Sequence, residues 1–270
     1  MASILDRYRG LVFDLDGTVY LGEHLLPGAR ATIEAARATN RSILYLTNKP
    51  LEPSAAYAAK LTRLGIPTTP AEVLSSLDAM VAYLLDRHPG AALLCVSEPL
   101  VAGTLRDHGF AVVPEEDAER ADVVVVSFDR TFDYAKLHAA FRAVRAGAVI
   151  VATNPDRYCP TPEGGLPDCA AMLAAIEACT GATAEAVVGK PSTHMAAAVL
   201  ARLGLPPEDV LIVGDRLETD VALAAGAGID AALVLSGATG PETARRADPP
   251  PTYVLDGIAG LVGSCEVMAW

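Results

Sequence analysis

Lysine is scarce in this chain: Lys49, Lys60, Lys136 and Lys190 are the only four among 270 residues, and no basic run occurs. With a formal net charge of −12, the chain lacks the clustered Lys and Arg that release counterions from a phosphate backbone, which excludes nucleic acid as the expected partner. Cysteine is sparse as well. The five residues (Cys95, Cys159, Cys169, Cys179, Cys265) are odd in number and show no C-x-x-C spacing, so free thiols are expected rather than a disulfide framework or a zinc site. No stretch approaches the roughly 18 to 20 apolar residues that span a bilayer, and the opening MASILDRYR has no continuous apolar segment of signal-peptide length. A cytoplasmic protein with no membrane partner is expected. The histidines (His24, His88, His108, His138, His194) show no metal-ligand spacing, and no repeat of 20 to 50 residues occurs.

What is present is core-forming material. Apolar residues make up 51% and charged residues 20% of the chain, the composition of an ordinary globular protein of one large or two modest domains. Short apolar runs recur between alanine-rich helical stretches: LVFDL at 11, SILYLT at 42, ALLCVS at 92, DVVVVSF at 122, AVIVATN at 148, DVLIVGD at 209 and AALVLSG at 231. Strands apolar on both faces and alternating with helices predict the α/β class with parallel sheets covered on both sides. Met195, Val199 and Leu203 recur every four residues beside Leu200, a helix that Gly204 would close. Pro249, Pro250 and Pro251 predict a stiff connector before the last strand.

Three strands end in residues of a chemical kind: Asp14 and Asp16 after the first, Thr47 and Asn48 after the second, Asp215 after the run at 209. Open α/β sheets bind ligands at the carboxyl ends of their strands, so these should converge. Strand alternation places Asp14 and Asp16 on one face, two like charges in one small volume. A phosphate monoester is a dianion that a carboxylate repels, and Mg²⁺ removes that repulsion through oxygen ligands, for which Asp14 and Asp215 are suited. Asp14 could then attack phosphorus. Asp16, its pKa raised by the neighbouring charge, would protonate the leaving alkoxide and later take a proton from water. Gly17 permits the tight turn that aims backbone N–H groups at phosphate. Thr47, Asn48 and Lys190 supply fixed donors to the phosphoryl oxygens. Asp220, five residues after Asp215, is expected to hold the metal's waters or orient Asp215 rather than ligate directly.

DLDGT, LTN, GKP and GDRLETD, in that order, resemble the four motifs of the haloacid dehalogenase superfamily, and their spacing resembles its NagD-like branch, class IIA, which includes p-nitrophenyl phosphatases and sugar phosphatases. ATNPD at 152, VVSFDRTFDYAKL and VLSG at 234 add to the resemblance. It implies a Rossmann-like core at 1–77 and 188–270 with an inserted α/β cap of the C2 type at 78–187. It implies Asp14 as nucleophile, Asp16 as acid/base, Thr47 and Lys190 as phosphoryl stabilisers, and Mg²⁺ on Asp14, the Asp16 backbone carbonyl and Asp215. It further implies a cap that closes over the site, and a homodimer. Asp16 favours phosphate esters, because the dehalogenases lack it. Lys49 departs from relatives, which often carry Asn or an aromatic residue there.

Asp168 precedes a helical pattern and reads as an N-cap; in class IIA relatives the matching loop resembles a lid edge, where Asp168, with Cys169, would touch a hydroxyl or amine of the leaving group, and Thr47, Asn48, Lys49 and Lys190 complete the expected substrate-binding set. Arg157 and Tyr158 read as a solvated loop. TPEGG at 161 reads as a hairpin turn with Gly164 and Gly165 at positive φ. The expected activity is a Mg²⁺-dependent phosphatase acting on small phosphorylated metabolites, such as sugar phosphates, nucleotides or phosphoglycolate, through an aspartyl-phosphate. The alternatives are a phosphotransferase on the same core and a non-catalytic protein that binds a phosphometabolite.

Overall fold

The computed structural model describes residues 3–161 and 164–262. In chain order the elements are β1 (Gly10–Asp14), β2 (Tyr20–Leu21), β3 (His24–Leu25), α1 (Ala29–Ala38), β4 (Ser42–Thr47), α2 (Ser54–Arg63), β5 (Val73–Ser75), α3 (Ser76–Arg87), β6 (Ala92–Val96), α4 (Pro99–Asp107), β7 (Ala111–Val112), β8 (Val123–Val126) and α5 (Tyr134–Ala146). There follow β9 (Val149–Ala152), β10 (Tyr158–Thr161), β11 (Gly164–Pro167), α6 (Cys169–Thr180), β12 (Ala186–Val187), α7 (Thr193–Leu203), β13 (Val210–Gly214), α8 (Ala222–Ala227), β14 (Asp230–Val234), α9 (Pro241–Ala244) and β15 (Tyr253–Leu255). The chain forms two compact units: one of residues up to Thr47, Pro53–Leu74 and from Lys190 onward, the other of Asn48–Glu52 and Ser75–Gly189.

The first unit holds a six-stranded sheet in the order β15-β14-β13-β1-β4-β5. β1 is its centre, pairing in parallel with β13 (Phe13 opposite Val213) and β4 (Phe13 opposite Tyr45). All five residues of GLVFD are buried, as a strand flanked by neighbours and covered on both faces requires. Leu11, Phe13, Tyr45, Leu211 and Val213 join Ile33 of α1 and Leu61 of α2 in one core cluster; burying side chains of this size contributes about 1.5–3 kcal/mol each. Helix α7 begins where the Ser192 side chain accepts from the Met195 amide at 3.2 Å. It buries Met195 and Val199 and ends at Gly204, whose φ of 63° is the left-handed C-cap expected from the sequence.

The second unit has its own sheet, ordered β12-β9-β8-β6-β7 and parallel throughout. β8 is four consecutive buried valines, of which Val124 and Val126 pack in a cluster with Ala140 and Ala143 of α5 and Met172 and Ile176 of α6. A reciprocal capping box starts α3, the Ser75 amide donating to Asp78 at 2.7 Å and the Asp78 amide to the Ser75 hydroxyl at 3.2 Å. In the stretch SFDRTFDYAKL, the Lys136 ammonium bonds the buried Asp129 carboxylate at 2.6 Å and the Thr131 hydroxyl at 2.7 Å, a local brace for the start of α5. β10 and β11 form an antiparallel hairpin. Only one of its two glycines takes positive φ, Gly164 at 124°; Gly165 pairs with Pro160 inside the strand ladder and is extended, so the expectation for both is corrected. The TPEGG turn itself lies partly outside the described residues, as Pro162 and Glu163 are not among them. Cys95, Cys159, Cys169 and Cys179 are free thiols; Cys265 lies outside the described residues. Among the described residues, no helix is long and apolar enough to cross a membrane.

Candidate active site

Three adjacent parallel strands, β13, β1 and β4, end on one edge of the first unit's sheet, and the side chains there are Asp14, Thr47 and Asp215. All three are buried. Asp14 closes β1 inside the pairing, opposite Leu46, so its main chain is held in the ladder with β4. After it the chain leaves the strand: Gly17, at φ 91°, donates its amide to the Tyr20 carbonyl at 2.8 Å and turns the backbone into the β2–β3 hairpin. Asp16 lies in that turn. The expected alternation therefore stops at Asp14, and the partners that crowd Asp14 come from elsewhere.

Those partners are Asp215 and Asp220. Carboxylate oxygens of Asp14, Asp215 and Asp220 lie within 4.8 Å of one another, the one such metal-capable group among the described residues. Asp16 is not a member. Asp220, expected one step back, stands in the group itself, because a π-helical turn over Leu217–Val221 follows β13 and brings it round. Its Oδ2 accepts from the Arg216 amide at 3.2 Å. Glycines make room: a Cβ at Gly214 would overlap the Asp220 carboxyl, and one at Gly237 or Gly17 would overlap that of Asp215. Gly214 and Gly237 were not among the residues expected to matter, although each stands in a quoted motif, GDRLETD or AALVLSG.

Lys190 answers part of the charge. Its ammonium, almost fully buried, bonds Asp14 Oδ1 at 2.5 Å and Asp220 Oδ1 at 2.7 Å. Burial alone would lower its pKa; the attraction of Asp14 and Asp220 outweighs that and holds it charged. One ammonium does not neutralise three carboxylates. Burial, with the charges of Asp220 and Asp215, drives Asp14 well above the usual carboxylate range against the pull of Lys190, and burial with the Asp220 charge pushes Asp215 to about 6. Asp215 Oδ2 accepts from the Ala238 amide at 2.6 Å, while the buried Oδ1 has no hydrogen-bond partner. An orphaned buried oxygen among three oxygen-ligand side chains carrying excess negative charge fits a hard divalent cation.

The remaining expected site residues lie in the second unit. Asn48 donates from Nδ2 to Asp156 at 3.1 Å, and its carbonyl accepts from Ser76 Oγ at 2.6 Å. Asp168 caps α6, accepting from the Cys169 amide at 2.6 Å. Burial pushes its carboxyl to about 6, against the Cys169 amide; the Asp156 charge raises it further, and an Asn154 hydrogen bond and the charge of Lys49 oppose. Cys169 is fully buried, its thiol donating to the Val126 carbonyl at 3.4 Å and its pKa pushed by burial to about 11. Arg157 and Tyr158 are exposed; Arg157 lies outside the strands as expected, whereas Tyr158 opens β10 opposite Pro167 and is not loop.

Residues 11–111 match the family profile of haloacid dehalogenase-like hydrolases and residues 187–261 a second, HAD-hydrolase-like profile. The chain is 36% identical to the sugar-phosphatase AraL of Bacillus subtilis over 95% of its own length and 93% of the relative's. Among solved structures, a 4-nitrophenylphosphatase from Thermotoga maritima superposes with a TM-score of 0.90 at 33% identity, covering 97% of this chain and 99% of that one. A glycerol phosphate phosphatase from Mycobacterium tuberculosis in complex with magnesium superposes with a TM-score of 0.89 at 33% identity, over 98% of this chain and 79% of that one. The Asp14–Lys190–Asp220–Asp215 group thus sits on the scaffold of those enzymes, and the chain belongs to the haloacid dehalogenase-like hydrolases, as a phosphatase of the NagD-like, class IIA branch.

Proposed function

We propose that the chain hydrolyses small phosphate monoesters, sugar phosphates among them, through an aspartyl-phosphate on Asp14, with magnesium as the divalent cation. The observation that carries the reading is the Lys190 ammonium on Asp14 Oδ1, which fixes one oxygen of a buried strand-end carboxylate and leaves the other to act. Asp14 and Asp215, with the Asp16 main-chain carbonyl, would hold the cation beside Asp220. Bound there, it supplies charge neutralisation to a phosphoryl group that carboxylates would otherwise repel.

In the first step Asp14 forms an O–P bond while the ester P–O bond breaks, and the electron pair leaves on the alkoxide, which takes the proton of Asp16. The second step is hydrolysis: water gives its proton to Asp16 as its oxygen bonds phosphorus, and the O–P bond to Asp14 breaks, returning the pair to the carboxylate. The net change is ester plus water to alcohol plus inorganic phosphate. Thr47 and Lys190 hold the phosphoryl oxygens in both steps. General acid–base help of this kind is worth about 10² to 10⁴ in rate.

The test is turnover of p-nitrophenyl phosphate and of a panel of sugar phosphates, with Mg²⁺ and with chelator. Asp14→Asn keeps the shape of the side chain and removes the nucleophile, so hydrolysis should vanish while the circular dichroism spectrum stays that of the wild type. Turnover that survives in Asp14→Asn overturns the assignment.

A further inference from the structure

The ATNPD segment after β9 carries a buried amide that the proposed chemistry does not use. Asn154 is fully buried and donates from Nδ2 to the Asn48 carbonyl at 3.2 Å, while its Oδ1 accepts from the Asp156 amide at 2.9 Å. Asn48 is peptide-bonded to Thr47, the last residue of β4. A second strand of chain passes the same spot. The Gly189 amide donates to the Thr153 carbonyl at 2.8 Å, and a Cβ on Gly189 would stand 2.8 Å from Asn48 Oδ1 and 3.1 Å from the Asn154 Cβ. Gly189 is peptide-bonded to Lys190. Thr153 and Asn154 therefore hold, within one buried cluster of the second unit, the residue directly after Thr47 and the residue directly before Lys190.

The cluster is built for fixity. Thr153 donates its hydroxyl to Ser127 at 3.0 Å, which anchors it to the end of β8. Ser76, the first residue of α3, donates to the same Asn48 carbonyl at 2.6 Å. That carbonyl thus has two buried donors from two different elements, and the Asn48 side chain is held separately by Asp156. A backbone oxygen so tied has little freedom.

We infer that Asn154 is a positioning residue for the phosphoryl group: by clamping the Asn48 carbonyl, while its neighbour Thr153 holds Gly189, it sets the peptides that lead into Thr47 and Lys190. The inference rests on the phosphatase reading above. Asn154 touches neither substrate nor metal in this account. Its effect is transmitted through two peptide bonds, and it falls on the transition state, where a misplacement of about 1 Å costs roughly 10² in rate.

The experiment compares wild type, Asn154→Ala, Asn154→Asp and Ser76→Ala in the full chain, measuring kcat and KM for p-nitrophenyl phosphate and for one sugar phosphate, and inhibition by vanadate. Asn154→Asp retains the volume and the acceptor for Asp156 but loses the amide donor. Both Asn154 variants should lose about 10- to 100-fold in kcat, by the same factor on both esters, with KM changed less than about threefold and the vanadate inhibition constant raised in step with the loss. Ser76→Ala, which removes the second donor to the same carbonyl while favouring the helix, should lose a few-fold with the same pattern. A merely structural role would lower the active fraction and leave vanadate affinity and KM of the remaining enzyme untouched. Wild-type kcat in Ser76→Ala together with either Asn154 variant overturns the inference, as does a loss confined to KM. A wild type that turns over no ester at all would instead refute the phosphatase reading, which separates the two failures.

Discussion

Asp168→Asn should make the protein more stable at neutral pH. Asp168 is 4% exposed, and burial raises its carboxyl pKa to about 6 against the hydrogen bond from Cys169, compared with about 3.9 in an unfolded chain. A group whose folded pKa is raised binds its proton more tightly in the folded state, so stability is greatest below the unfolded value. It then falls as pH rises from about 4 to about 6, and the full penalty is present above that. Linkage gives a penalty of about 3 kcal/mol at pH 7.5 and about 1 kcal/mol at pH 4.5. Asparagine keeps an oxygen for the Cys169 amide and so preserves the cap at the start of α6, while removing the desolvated charge and its repulsion with Asp156.

The assay is urea unfolding followed by circular dichroism at both pH values, for wild type, Asp168→Asn and Asp168→Ala. Asp168→Asn should gain about 2–3 kcal/mol at pH 7.5 and at most about 1 kcal/mol at pH 4.5. Asp168→Ala, which also loses the cap, should fall below Asp168→Asn by about 1 kcal/mol at both pH values. An Asp168→Asn variant whose stability relative to wild type is the same at pH 4.5 and 7.5 would show that the carboxylate is solvated, and the buried-charge argument would fail.

Lys190→Met leaves Asp14 and Asp220 facing each other without their buried counter-charge, and should cost about 3–5 kcal/mol at pH 7.5 as well as phosphatase turnover, read by denaturant midpoint and by p-nitrophenyl phosphate hydrolysis. Chelator should lower the melting temperature of the wild type and Mg²⁺ raise it, by the equivalent of about 2.7 kcal/mol at a hundredfold excess over the dissociation constant. Asp215→Asn should abolish that response, and a variant that still gains stability from Mg²⁺ would remove Asp215 from the metal site. Gly237→Ala pushes a methyl into the Asp215 carboxyl. It should raise the Mg²⁺ concentration needed for half-maximal turnover by about tenfold or more while the circular dichroism spectrum is unchanged, since second contacts of this kind typically change metal affinity 10- to 100-fold.

How much of this was legible before the structure depends on whether the signal is local. The seven apolar runs became strands because each is covered on both faces, which writes burial directly into consecutive residues such as VVVV at 123–126. Asp14, Thr47 and Asp215 were legible for a related reason: each follows such a run, and parallel strands bring their ends to one edge. The strand alternation applied to Asp14 and Asp16 ran two residues past the end of β1, which stops at Asp14 before Gly17 turns the chain. The carboxylates that do crowd Asp14 come from β13 and the π-helical turn after it, and an irregular turn has no period for a sequence reader to follow. The lysines make the same point from the other side. Four were available; Lys60 stacks on Tyr20 at 4.0 Å and Lys136 braces Asp129, both ordinary structural uses, whereas Lys190 meets two carboxylates whose distance from it in the chain hides them. Asn154 is the extreme case. Its amide serves a backbone carbonyl more than a hundred residues earlier, and a main-chain acceptor leaves no trace in the amino-acid sequence, so only the fold separates it from an ordinary loop asparagine before a proline.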